Sequence, residues 1–123
     1  MNKETKSSHD HDLPIIRATY DAYQTFIEIR TKVAKQYKHT ICERVELLLL
    51  GLLEIFYTAA ALPRIEKLTI LERESVKLNI LRLLVRLMKD VHAIEMGQYA
   101  RLQKKLDEIG RMLGGWIKSV RGM

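Results

Sequence analysis

The chain has 123 residues, 47% of them hydrophobic and 29% charged. That length and balance fit one globular domain with a real core. They exclude a disordered or fibrous chain. The 21 basic residues outnumber the 15 acidic ones, for a net charge of +6. Residues 1–12 hold two basic and three acidic side chains, so the other 19 and 12 leave +7 on the rest. Such an excess favours a polyanionic or acidic partner. The lone Cys42 rules out an intramolecular disulfide and fits a reducing compartment. Beside Ile41 and Val45 it reads as a buried, inert thiol. No apolar signal core opens the chain. The greasiest run, Leu47 to Leu62, is interrupted by Glu54 and is shorter than the roughly 20 residues of a membrane span. The expectation is a soluble cytoplasmic protein without membrane contact.

Residues 1–12 show no periodicity and are expected to be a disordered tail. Its His9-Asp10-His11-Asp12 run reads as solvated, so no metal is assigned. A bundle domain is expected over residues 13–119, with 120–123 as its C-terminal end.

Pro14 suits a first helical position, and the first helix is expected to run to about Lys35. Ile15, Thr19, Ala22, Phe26, Ile29 and Val33 line one side. Ile16, Tyr20, Tyr23 and Ile27 widen it. Lys32, Lys35 and Lys38 form a basic end.

Thr40 and Glu43 have the spacing of a capping box, which opens a second helix reaching about Leu62. Pro63 stops it. Because it is apolar around most of its circumference, it is expected to be largely buried. Thr69 and Glu72 repeat the capping pattern and set the expected start of a third helix, ending near His92. The fourth spans about Met96 to Ser119. No strand alternation or hairpin signal competes. The fold expected is all-α, an antiparallel up-down four-helix bundle.

On the third helix, apolar residues from Val76 to Val91 spread over about 200° at 100° per residue. That is more than one bundle seam requires, and it points to a neighbouring subunit, the alternative being that the bundle buries this helix most deeply. The remaining arc carries Arg82, Arg86 and Lys89 at four- and three-residue spacing, one row of cations. Arginine forks suit phosphate. Only Asp90 and Glu72 are placed to dilute that row. On the fourth helix Lys104, Arg111 and Lys118 recur every seventh residue, with Asp107 and Glu108 beside them. These six cations are the candidate contacts for an anionic partner.

Leu102, Leu106, Ile109, Leu113, Trp116, Ile117 and Val120 form the apolar stripe of that helix, with Trp116 as a core or interface anchor. Gly110 and Gly114 share one flank and read as a close helix contact; Gly115 reads as a bend. Each glycine costs a helix interior about 0.5–1 kcal/mol relative to alanine.

No phosphate loop, dinucleotide turn or zinc helix is present in the sequence. The Glu-x-x-His pairs of di-iron bundles are missing as well. The chain reads as a non-enzyme without a cofactor.

The stretches Lys77-Leu78-Asn79-Ile80-Leu81-Arg82-Leu83-Leu84-Val85-Arg86-Leu87-Met88-Lys89-Asp90 and Glu108-Ile109-Gly110-Arg111-Met112-Leu113-Gly114-Gly115-Trp116-Ile117-Lys118 resemble the accessory variability determinant (Avd) proteins of diversity-generating retroelements. Leu13-Pro14 before an amphipathic helix also fits, so the resemblance covers about residues 13–119. It implies a homopentameric barrel and a non-enzymatic accessory protein. That protein would bind the element's reverse transcriptase and nucleic acid, template RNA or cDNA, in mutagenic retrohoming. The related bundle proteins of bacterial ribosomal RNA intervening sequences are the alternative. A structural adaptor docking an acidic protein is a second alternative.

Overall fold

A computed structural model describes residues 13–122. The expected tail at 1–12 lies outside the described residues. Four long helices and one short turn of helix follow in order: α1 Leu13–Arg30, α2 Lys35–Lys38, α3 Ile41–Ala59, α4 Arg64–Asp90 and α5 Met96–Arg121. The described residues form no strand.

Each long helix packs against two others, α1 on α3 and α5, and α4 on α3 and α5. Cross-contacts fix the directions. Arg64, first in α4, donates to the carbonyls of Val120 and Arg121 at the end of α5, at 2.9 and 3.0 Å. A guanidinium there satisfies carbonyls that have no intrahelical partner. At the other end Lys89 lies 4.7 Å from the Tyr99 ring centre. Glu28, late in α1, meets Arg101, early in α5, at 3.2 Å. The result is an antiparallel up-down bundle.

The core runs from Ile15, Phe26 and Ile29 of α1 through Leu49, Leu52 and Phe56 of α3. It continues through Leu71, Leu81 and Met88 of α4 to Leu106, Ile109 and Leu113 of α5. These positions recur at three- and four-residue intervals, so each helix turns one stripe inward. Trp116 is a core anchor, its ring centre 6.3 Å from that of Phe56.

The helix boundaries differ from the sequence expectations where no glycine or proline marks them. The first helix ends at Arg30, not Lys35. Lys32 and Val33 there form three-residue backbone bonds to Ile29 and Arg30, a tightening typical of helix ends. The break lets Val33 point into the core. Thr40 does precede α3, but its hydroxyl donates to the Tyr37 carbonyl instead of closing a capping box. The second expected box is also absent. Pro63 opens α4 itself, so Thr69 lies inside the helix and donates back to the Ile65 carbonyl.

A box does form at Glu95 and Gln98, where the Glu95 N–H donates to Gln98 Oε1 at 2.9 Å. His92 adopts φ 63°. Its N–H and that of Ala93 bond to the Lys89 and Met88 carbonyls, a Schellman ending with histidine where glycine is usual. The helix α5 runs unbroken through Gly115 to Arg121.

Burial of α3 is one-sided, because Leu47 and Tyr57 stay exposed; so does Tyr20 of α1. No helix among the described residues is long and apolar enough to cross a membrane.

Candidate nucleic-acid interface

The outward side of α4 combines two surfaces. Val76, Ile80, Leu83, Leu87 and Val91 recur at intervals of four and three and are all exposed. They lie opposite the buried stripe of Leu78, Leu81, Val85 and Met88. An exposed apolar stripe of this length is a candidate interaction face. It is the surplus apolar arc expected from the sequence, and no other described residue covers it.

Beside it, facing α5, run Arg82, Arg86 and Lys89, and all three have acidic neighbours. Arg82 forms an ion pair with Asp107 of α5 at 3.1 Å and donates to the Leu106 carbonyl at 3.4 Å. Its Nε is buried without a partner. Arg86 lies 3.9 Å and Lys89 3.6 Å from Asp90. Lys89 also covers Tyr99. The dilution expected from Asp90 is present, and Asp107 adds to it. Asp107 comes from the adjacent helix, a partner invisible when α4 is projected alone. Arg86 is the most exposed of the three side chains, at 66%. Arg82 and Lys89 are tied to α5. Asn79, Arg82, Leu83, Arg86, Tyr99, Gln103 and Asp107 line an open groove of about 450 Å³.

On α5, Lys104 and Lys118 are exposed and have no acidic partner among the described residues. Arg111 is paired with Glu108 at 2.5 Å. Two further cations, Arg101 and Lys105, reach across to Glu28 and Asp21 of α1 at 3.2 and 2.5 Å. Sequence reasoning missed these bridges, because neither side of the pair signals its partner.

Gly110 does accept a close neighbour, but a side chain instead of a backbone. A Cβ there would stand 2.5 Å from Arg82 Nη2 and 3.5 Å from Leu78 Cδ2. The glycine thus makes room for the guanidinium that reaches Asp107. Gly114 has open space around its Cβ position and borders the groove of Ser75, Val76 and Ile117.

Two buried titratable groups lie apart from this face. Cys42 is fully buried, and burial pushes its thiol up, which disfavours the nucleophilic thiolate. Glu74 is 1% exposed, with Oε1 unpartnered and Lys77 at 3.5 Å. Burial raises its carboxyl above the usual range, against the opposing pull of Lys77. Among the described residues no His, Cys, Asp and Glu side chains group to hold a metal ion.

Fold and surface together define a basic four-helix bundle whose α4 presents an apolar face exposed among the described residues. A family model described as bAvd-like matches residues 15–120, nearly the whole described chain, and the chain belongs to that family. No curated protein matches it. Membership suggests an accessory protein of a diversity-generating retroelement.

Proposed function

We propose that this chain is a non-enzymatic accessory factor that binds the retroelement's reverse transcriptase and nucleic acid, supporting mutagenic copying of template RNA into cDNA. The observation that carries the reading is the bAvd-like match over residues 15–120. The basic surface agrees with it. In this reading the α4 stripe packs on a second copy and closes a ring, five-membered by the family resemblance. Ring closure multiplies the +7 of residues 13–123 into a strong field for a polyanion.

Arg86, Lys104 and Lys118 contact phosphate directly in this reading. Arg82 and Lys89, tied to α5, and Arg111, held by Glu108 at 2.5 Å, add charge and shape. Contacts of this kind are salt-sensitive and carry little sequence information.

The test is capture of the co-expressed neighbouring reverse transcriptase by the tagged protein, with and without nuclease. Retention after nuclease supports direct binding to the polymerase. Loss only after nuclease means that nucleic acid bridges the two. No capture in either condition refutes the assigned partner.

A further inference from the structure

A further cation-rich segment lies apart from α4 and α5. Between Arg30 and Arg44 stand five cations, Arg30, Lys32, Lys35, Lys38 and Arg44, and one acid, Glu43. Arg30 is engaged with Glu46 at 3.5 Å. Lys32, Lys35 and Lys38 have no acidic partner among the described residues, and Lys32 and Lys35 are exposed.

This connection is held in place. Val33 is buried in the core. Arg30 Nη2 donates to the Lys38 carbonyl at 3.4 Å, and Thr40 Oγ1 donates to the Tyr37 carbonyl at 3.3 Å. The Tyr37 hydroxyl reaches across the bundle end to the Val91 carbonyl, also at 3.4 Å. Three lysines are therefore mounted on an anchored turn at one end of the bundle. That anchoring separates them from a solvated lysine loop, because less motion is lost when a ligand is bound.

We propose that the Lys32–Lys38 turn is a docking surface for the phosphate backbone of double-helical nucleic acid. The inference rests on the nucleic-acid reading above and adds a site to it. Lysine presents a compact point charge on a flexible stem, without arginine's planar fork. Within the turn Tyr37 is half-buried and its hydroxyl is bonded to Val91, which leaves less ring face for an unpaired base, and the exposed ring beside the lysines is the small imidazole of His39. Point charge with little stacking surface fits a duplex backbone better than a splayed single strand.

The position supports the same conclusion. Val91, to which the turn is tied, is also the last residue of the exposed α4 stripe. Copies packed through that stripe would set their lysine turns beside the seams. In any cyclic assembly equivalent points lie on one circle, so the turns would form a ring of positive charge at one end.

The test is binding of a labelled duplex of about 20 base pairs, with an unpaired strand of equal length as comparison, across a salt series. The variant is Lys32→Ala/Lys35→Ala/Lys38→Ala in the full chain. Expected is at least a tenfold loss of duplex affinity at low salt, with the slope of log K against log salt reduced by about 2–3. Lys→Arg at the same three positions should restore binding, and oligomeric mass and helicity should not change. Wild-type affinity and slope in the alanine variant, with duplex bound normally, would overturn the lysine turn alone. Failure of the wild-type protein to bind either nucleic acid would overturn the nucleic-acid reading itself. An equal loss for the single strand would overturn the choice of duplex. Loss of nuclease-resistant polymerase capture with duplex binding intact would make the turn a protein surface and overturn the proposal.

Discussion

Replacing Leu83 and Leu87 by glutamine tests whether the α4 stripe is an interface. Both point to solvent, Leu83 at 64% and Leu87 at 45% relative exposure. Glutamine keeps helix propensity close to that of leucine, so the fold of one chain should hold within about 0.5 kcal/mol per site. Fully burying a leucine contributes about 1.5–3 kcal/mol. Scaled by the exposures, covering the pair is worth roughly 2–3 kcal/mol per interface. That corresponds to roughly 30- to 150-fold in the dissociation constant of each contact. Sedimentation velocity over a dilution series should show the variant dissociating at concentrations where the wild type stays assembled. Circular dichroism should report the same helicity for both. A variant with the wild-type mass at every dilution would refute the reasoning, as would a monomeric wild type. The first outcome would place the subunit contact elsewhere, and the second would leave the stripe to another partner.

Two further substitutions probe the interior. Gly110→Ala sets helix propensity, a gain of about 1 kcal/mol, against displacement of the Arg82 guanidinium from Asp107. That pair is partly exposed and worth at most about 1 kcal/mol. The net change in a urea melt should therefore lie within about 1 kcal/mol of zero, whereas a loss of several would mean that rigid backbone, not a movable side chain, fills the space.

Glu74 makes stability depend on pH. Its folded-state pKa lies above the unfolded value, so the native state holds the proton more tightly. Stability from this group is highest below the unfolded pKa and falls as pH rises toward the raised folded value. Glu74→Gln should flatten that fall in melts taken from mildly acidic to neutral pH. An unchanged profile would show that the buried carboxyl does not titrate in this window.

Helix number, helix faces and the surplus apolar arc were legible in the sequence, because three- and four-residue periodicity is a local property. The run from Val76 to Val91 revealed too many apolar residues for one seam without any neighbour being known. Boundaries were legible only where a residue acts through its own backbone. Pro63 lacks an N–H and separates α3 from α4 whatever surrounds it. As caps, Thr40 and Thr69 would accept from a backbone N–H, but each hydroxyl is turned to donate to a preceding carbonyl. The end of α1 at Arg30 and the left-handed His92 had no marker at all, because tertiary packing of Val33 and Tyr37 and the Schellman bonds of α4 decided them. Charge behaved in the same way. The composition determined a basic protein, but the pairing of Arg82 with Asp107, Lys105 with Asp21 and Arg101 with Glu28 follows from which helices are neighbours. An ion pair needs two groups within a few ångströms, and residues up to 84 positions apart meet here only once the bundle has folded.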